Sequence, residues 1–187
     1  TPKPSSAASD VYKRQDLIGQ TPLVLLESFS DENVKIYAKL EQFNPGGSIK
    51  DRLGKYLIEK AIDEGRLKEG DTIVEATAGN TGIGLAIASN RHKVKCIIFA
   101  PEGFAEEKIS IMKALGADVR RTPKVEGMTG AQQEALAYAT RYGYLYMNQF
   151  ETKDNPGAYT QTLAKQLTDE LSHLSLIHIS EPTRLLS

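Results

Sequence analysis

A glycine-bearing turn in the middle of the chain has the features of an anion-binding site. Residues 77–84 read TAGNTGIG and follow an apolar stretch, Thr72–Ala76, that is typical of a strand. A turn that leads from a strand into a helix exposes free backbone N–H groups at the positive end of the helix dipole. Gly79 and Gly82 have no Cβ, so the backbone there can approach a ligand closely. The alternative interpretation is a tight turn that binds nothing.

The order of these glycines argues against a nucleotide site. Dinucleotide-binding folds use G-x-G-x-x-G, whereas the glycines here run G-x-x-G-x-G. The acid expected about 20 residues later to bind ribose is missing, because the strand predicted there ends in Ala100-Pro101. A Walker loop is absent as well, since no Gly-Lys-Ser/Thr occurs in the sequence. The turn therefore predicts a smaller anion, such as a carboxylate.

Lys50 stands where the electrostatics of a helix disfavour a cation. The run Ser48-Ile49-Lys50-Asp51 resembles a capping box with Asp in place of Glu, so Lys50 falls in the first helical turn. The helix dipole disfavours a cation there by a few tenths to about 1 kcal/mol, and so favours the free amine. Such amines serve as Schiff-base nucleophiles, and Gly46-Gly47 leaves space for a flat ligand. A solvated surface lysine is the alternative, but local rules are broken most often at functional sites.

Strands and helices alternate from Ile18 to about Leu171, and these elements must position the glycine-bearing turn and Lys50. The predicted strands are Thr21–Glu27, Lys35–Glu41, Thr72–Ala76, Lys95–Pro101, Asp118–Arg121 and Tyr144–Phe150. The predicted helices run from Ser48 to Gly65, over Ile83–Asn90, Ala105–Leu115 and Ala131–Tyr142, and along a last stripe of Tyr159, Leu163, Leu167 and Leu171. Alternation of this kind implies right-handed crossovers. The expected fold is therefore α/β, with a parallel sheet that has helices on both faces.

Composition excludes several other classes of protein. The 187 residues include 23 Lys+Arg and 24 Asp+Glu, and because these are interspersed, no nucleic-acid partner is expected. No apolar run of about 18 residues is present that could span a membrane. One cysteine, Cys96, excludes a disulfide framework, and the scattered His92, His173 and His178 do not suggest a metal site. A reducing cytoplasm is the expected compartment.

Five motifs occur in order along the chain, and two of them contain Lys50 and the glycine-bearing turn. They are IGQTPL at 18–23, NPGGSIKDR at 44–52, EATAGNTG at 75–82, MKALGA at 112–117 and QF at 149–150. Together they resemble the cysteine synthase / cystathionine β-synthase family of fold-type II pyridoxal-phosphate enzymes, over about Ile18 to Leu171. This resemblance implies β-replacement on an activated serine, either O-acetylserine or serine, to make cysteine or cystathionine. The alternatives are a nucleotide-binding oxidoreductase domain and an inactive truncated chain.

The resemblance also implies roles for individual residues. Lys50 would carry pyridoxal phosphate on its amine and act as the general base at the substrate Cα. Asn80 would hydrogen-bond the hydroxyl group of the cofactor ring. The α-carboxylate of the substrate would be bound by Thr77, Ala78, Gly79 and Thr81, with help from Gln149. These roles agree with the interpretation of the turn and of the lysine from their chemistry.

The same resemblance predicts a truncated two-domain enzyme. We expect a disordered or non-native tail at 1–17, the first strands of an incomplete large domain at 18–45, a small α/β domain at 46–150, a helix returning to the large domain at 151–173, and a non-native tail at 174–187. Both ends resemble translated sequencing-adapter sequence. The glycine loop that cradles the cofactor phosphate in the family would lie beyond this chain. We therefore expect activity, on a small amino acid and in a homodimer, from the whole protein and little from this piece.

Overall fold

A computed structural model describes residues 14–172, which form two sheets with helices packed against them. The strands are β1 (Leu23–Leu25), β2 (Tyr37–Lys39), β3 (Thr72–Ala76), β4 (Lys95–Pro101), β5 (Asp118–Thr122) and β6 (Leu145–Tyr146). The helices are α1 (Lys50–Asp63), α2 (Asn80–Arg91), α3 (Glu106–Ala114), α4 (Gly127–Tyr142), α5 (Asp154–Tyr159) and α6 (Lys165–Glu170). No helix among these residues is long and apolar enough to cross a membrane.

The larger sheet confirms the predicted fold class. Its four strands lie in the order β5-β4-β3-β6, and every neighbouring pair is parallel. Side chains of β3 alternate between two cores. Ile73 packs with residues of α1, α2 and α3, whereas Val74 and Ala76 pack with the alanines of α4. Helices on both faces bury every residue of β3, including Glu75.

The first two strands form a separate antiparallel pair in which Leu23 lies opposite Lys39. They are tied to the rest of the molecule through Arg52 of α1, whose side chain is only 4% exposed. The guanidinium donates to both carboxylate oxygens of Glu41, at 2.7 and 2.8 Å, and to the carbonyl of Gly19 at 3.0 Å. It also donates to Gln166 of α6 at 2.8 Å. The planar guanidinium thus joins segments that are distant in sequence.

Asn44 completes this buried polar cluster and fixes the loop that precedes Lys50. Its side chain accepts a hydrogen bond from the backbone N–H of Gly19 at 2.8 Å and donates to Glu41 at 2.8 Å. Burial raises the pKa of Glu41, but hydrogen bonds from Arg52, Thr21 and Asn44 outweigh this effect and leave the pKa below its ordinary value. The cluster accounts structurally for residues of both the 18–23 and the 44–52 motifs.

Several elements differ from the sequence prediction. β1 and β2 each have three residues instead of the predicted seven, α2 begins at Asn80 rather than Ile83, and α4 begins at Gly127 rather than Ala131. The strand predicted over Tyr144–Phe150 is reduced to β6, because Asn148 adopts a left-handed conformation, with φ of 49°, and turns the chain away from the sheet. The predicted last helix is interrupted by a π-helical turn at Thr160–Ala164, so the stripe from Tyr159 to Leu171 is not a continuous helical face.

The ends of the chain fall largely outside the described residues. Of the predicted tail at 1–17, Arg14–Leu17 form a 3-10 turn in which Asp16 pairs with Arg91 of α2 at 3.0 Å. Residues 1–13 of that tail, and the whole of the tail predicted at 174–187, lie outside the described part. The division into an incomplete large domain and a small domain therefore stays a prediction.

Candidate active site

The turn after β3 is held rigidly and leaves space beside Gly79. The backbone N–H of Thr77 donates to Phe99 of β4 at 2.9 Å, and the hydroxyl of Thr77 accepts from the N–H of Gly79 at 3.2 Å. Gly79 is the N-cap of α2, so the N–H groups of the next residues point out of the helix end. Thr77, Ala78 and Thr81 are buried. A Cβ built on Gly79 would meet nothing nearer than Thr77 Oγ1, at 4.0 Å.

Gly82 has a different role from the one expected for it. A Cβ at this position would collide with Met112 Sδ of α3 and would lie 3.0 Å from Thr77 Cγ2. Because Gly82 has no side chain, α3 packs directly against the first turn of α2. Met112 of α3 occupies the space in which a Cβ would lie. Of the two glycines proposed to admit a ligand, only Gly79 has open space beside it.

Close packing of α1 against α2 brings the two predicted sites together. A Cβ on Gly84 would lie 2.9 Å from the carbonyl carbon of Lys50, and one on Gly54 would lie 2.7 Å from the backbone nitrogen of Leu85. The two helices are thus in backbone contact at the first turn of α1. Asn80 lies four residues before Gly84 and shares its face of α2. The start of α2 is therefore beside Lys50, as the predicted site requires.

Lys50 is the first residue of α1, and its amine has a tyrosine partner. The N-cap position is occupied by Ile49, and Ser48, one residue earlier, accepts from the backbone N–H of Lys50 through its Oγ at 3.2 Å. Asp51 does not complete a capping box with Ser48, because its carboxylate accepts from the backbone N–H of Gly46. The amine of Lys50 donates to the hydroxyl of Tyr159, at the end of α5, with an Nζ–Oη distance of 2.9 Å.

Gln149 lies beside the turn because β6 pairs directly with β3. It is buried, and its side-chain amide donates to the carbonyl of Ala76 at 3.3 Å. Its backbone N–H donates to the carboxyl group of Glu75 at 2.9 Å, and its carbonyl accepts from Asn155 of α5 at 2.9 Å. Gln149 is therefore held at the carboxyl edge of the sheet, where ligands of parallel α/β folds bind.

Sequence analysis missed the partners that hold these groups. Tyr159 was assigned to a packing stripe, and Glu75 was noted only as part of a motif. The signal for Glu75 was available, since an acid inside the apolar strand TIVEA breaks the hydrophobic pattern. The contact between Tyr159 and Lys50 spans 109 residues of sequence and left no local signal.

The donor set fits the reactive side of pyridoxal phosphate. Among residues 14–172, the Asn80 side chain has no hydrogen-bond partner, and Lys50 forms no ion pair that would occupy its amine. An amine suits the aldehyde of the cofactor, and a free amide suits its ring hydroxyl. The N–H groups of the turn and the buried threonines suit a carboxylate. In the same part of the chain, no three His, Cys, Asp or Glu side chains gather as a metal site would require.

Comparison with known proteins agrees with this chemistry. The sequence profile described as "Pyridoxal-phosphate dependent enzyme" matches residues 14–178, and the chain belongs to that family. The match extends a few residues into both segments that were predicted as tails. The alternative of a nucleotide-binding oxidoreductase domain is therefore wrong.

Individual relatives show to which members of this family the chain is similar. The chain is 49% identical over 158 residues to the O-acetylserine dependent cystathionine beta-synthase of Bacillus subtilis (strain 168), covering 83% of this chain and 52% of the relative. It is 47% identical over 165 residues to a cysteine synthase of Helicobacter pylori, covering 84% and 53%. The crystal structure of O-acetylserine dependent cystathionine beta-synthase from Helicobacter pylori superposes with a TM-score of 0.78 at 44% identity, covering 86% and 54%. The chain thus spans about half the length of these relatives.

Proposed function

We propose that the whole protein catalyses β-replacement on an activated serine, O-acetylserine or serine, with pyridoxal phosphate as cofactor, to make cysteine or cystathionine. The observation that carries this proposal is the close backbone contact of Lys50 with α2, the helix that begins at the turn at 77–81. The relatives support it, since those compared above are named as cysteine synthase or as O-acetylserine dependent cystathionine beta-synthase.

In the proposed mechanism, most residues of the site bind the substrate or the cofactor, and Lys50 transfers the proton. The bound cofactor supplies an electron sink for negative charge that develops at the substrate Cα. The turn formed by Thr77, Ala78, Gly79 and Thr81, together with Gln149, binds the α-carboxylate and restricts rotation of the amino acid, which is an orientation effect. Asn80 donates to the ring hydroxyl of the cofactor. Lys50 then removes the Cα proton and later returns one.

Tyr159 positions the amine that carries out this proton transfer. Its hydroxyl accepts from Lys50 Nζ when the amine is protonated, and it can donate to the nitrogen when the amine is free. A flexible four-carbon side chain is thereby held at the site in both states. The π-helical turn that directly follows Tyr159 fits this role, because such turns occur frequently at functional sites.

A direct assay tests the proposed activity. The whole protein, loaded with pyridoxal phosphate, is given O-acetylserine with either sulfide or homocysteine, and cysteine and cystathionine are quantified. We expect a thiol-containing product to form with at least one nucleophile. The ratio of the two products distinguishes a cysteine synthase from a cystathionine β-synthase. Absence of both products, with serine as well as with O-acetylserine, would refute the proposal.

Thr77 and Asn80 are expected to affect different ligands. Thr77→Val removes a hydroxyl from the carboxylate turn, so we expect about a tenfold rise in the dissociation constant of the amino acid with little change for the cofactor. Asn80→Ala removes the amide beside the cofactor, so we expect the opposite pattern. Titrations of cofactor and amino acid, each followed by absorbance, measure both constants. Unchanged amino-acid affinity in Thr77→Val contradicts a carboxylate-binding role for that residue.

We further infer that the whole protein is a homodimer in the cytoplasm, and that it has a phosphate-binding loop outside this chain. The resemblance to the family and the coverage of about half of each relative support the inference. The same reasoning supports the division into an incomplete large domain at 18–45 and a small domain at 46–150. Without a phosphate loop, the 187-residue chain would bind the cofactor weakly and would have little activity.

A further inference from the structure

Glu75 is an acid buried in the centre of the main sheet. Its side chain is 0% exposed. It lies on β3 between Val74 and Ala76, which face α4, so it points to the opposite side with Ile73, towards the core formed with α1 and α2. Most of the buried residues around it are apolar, although α2 also buries Ser89. An acid in such surroundings is costly and needs a compensating role.

The carboxyl group of Glu75 holds two backbone groups at the edge of the candidate site. One oxygen accepts from the N–H of Ala76 at 2.7 Å, and the other accepts from the N–H of Gln149 at 2.9 Å. The second hydrogen bond joins β3 to the turn after β6. That turn contains Asn148 in the left-handed conformation, with φ of 49°, which asparagine adopts more readily than most non-glycine residues.

We propose that Glu75 is a positioning residue that fixes Gln149 beside the turn at 77–81, and with it the pocket for the substrate carboxylate. This inference rests on the proposed function. Glu75 and Asn155 clamp the backbone of Gln149 from both sides, by its N–H and by its carbonyl. The side chain of Gln149 is thereby directed at Ala76, immediately before the turn. Glu75 touches neither the substrate nor the cofactor and acts only through Gln149.

The charge of Glu75 matters because a carboxylate is to be bound close by. Burial raises the pKa of Glu75 to about 7, although the hydrogen bonds from Gln149 and Ala76 oppose this effect. The titratable groups that interact with it are Cys96 on β4 and Tyr146 on β6, and burial raises the pKa of each to about 12. Both are neutral at pH 7. Glu151, in the turn after β6, interacts with Tyr146 and is exposed.

The sign of the pH effect follows from this arrangement. Below pH 7 Glu75 is neutral, and the turn receives the substrate carboxylate without opposition. Above pH 7 a negative charge two residues before Thr77 repels that carboxylate, while the hydrogen bonds from Gln149 and Ala76 to Glu75 become stronger. We therefore expect the KM of the wild-type enzyme for its amino-acid substrate to rise about tenfold between pH 6 and pH 8, while kcat changes much less.

The test compares Glu75→Gln with Glu151→Gln in the whole protein loaded with pyridoxal phosphate. Glu75→Gln keeps the shape and one acceptor oxygen but cannot ionise, so we expect it to lose the rise in KM. Glu151→Gln removes an exposed carboxylate from the same turn and should follow the wild type. Titration of the substrate's own amino group is common to all three proteins and cancels in the comparison. The same rise in KM in Glu75→Gln as in the wild type would overturn the proposal.

Hydrogen exchange at the backbone N–H of Gln149 gives a second readout that does not depend on activity. We expect its protection to rise in the wild type as the pH passes 7, because the ionised carboxylate accepts more strongly from the Gln149 N–H, and to stay constant in Glu75→Gln. Constant protection in both proteins would also overturn the proposal. If the wild type makes no product from O-acetylserine or serine, the proposed function fails, and the exchange measurement alone decides the role of Glu75.

Discussion

Replacing Lys50 with alanine is expected to reduce turnover of the loaded enzyme at least about a thousandfold. Lys50 combines two tasks in the proposed mechanism, because its amine holds the cofactor and then moves the proton at the substrate Cα. No second lysine amine among the described residues forms a hydrogen bond with Tyr159. Lys50→Ala removes a half-exposed side chain from the first turn of a helix, so the fold should be retained.

The measurement combines kinetics with chemical trapping. Wild type, Lys50→Ala and Lys50→Arg are treated with pyridoxal phosphate and borohydride, and the modified residue is located by mass spectrometry. Lys55→Ala is the matched control, since Lys55 lies on the same helix and pairs with Glu59 at 3.0 Å on the exposed surface. We expect modification at Lys50 in the wild type and in the control, and none at that position in the two variants. Trapping at another lysine, with turnover retained in Lys50→Ala, would falsify the assignment.

The parts of the structure that sequence predicted well are those decided by short-range physics. β3 and β4 have the predicted bounds because each is an apolar run closed by turn residues. The start of α1 came within two residues of its predicted position, because Ser48 can satisfy only the N–H groups that directly follow it. The turn at 77–84 combined glycines with a strand before it and a helix after it. Its placement at a helix N-terminus needed no knowledge of the rest of the chain.

The parts that could not be predicted depend on contacts between distant segments. β6 ends at Tyr146 because Asn148 turns the chain away from the sheet, and Glu75 then accepts from the N–H of Gln149; the sequence of residues 144–150 gives no sign of that bond. The π-helical turn after Tyr159 interrupts a stripe that local spacing extended to Leu171. The buried cluster around Arg52 joins residues from 19 to 166, and a charged residue within a helix is more simply interpreted as solvated.

The glycines of α1 and α2 show most clearly that contacts between distant segments cannot be predicted from local sequence. Gly54 and Gly84 lie inside helices, where glycine is unfavourable by about 1 kcal/mol relative to alanine. Their unfavourable helix propensity is explained only by the backbone contact between the two helices, where a larger residue would not fit. This contact also sets the position of Lys50 relative to Asn80. The geometry of the candidate site therefore depends on two glycines, which have no side chain to bind a ligand or react with it.

Gly84→Ala is accordingly expected to destabilise the protein by about 3 kcal/mol or more, although alanine is the better helix former. The added methyl group would overlap the backbone of Lys50, lying 2.9 Å from its carbonyl carbon and 3.1 Å from Asp51 Cα. Neither atom belongs to a flexible side chain, so one helix must move away from the other. Because that movement separates Lys50 from Asn80, cofactor affinity should fall together with stability.

Denaturant unfolding and cofactor titration of Gly84→Ala, Gly54→Ala, their double variant and a control variant measure this effect. Gly54→Ala tests the same contact from the other helix, and because both methyl groups would enter one interface, the double variant should cost less than the sum of the single variants. Gly157→Ala is the matched control. Its methyl group would meet only the hydroxyl of Tyr56, at 3.2 Å, which lies at the end of a movable side chain. This variant should stay within about 1 kcal/mol of the wild type. If Gly84→Ala unfolds at the same denaturant concentration as Gly157→Ala, close helix packing is not what brings Lys50 to the turn.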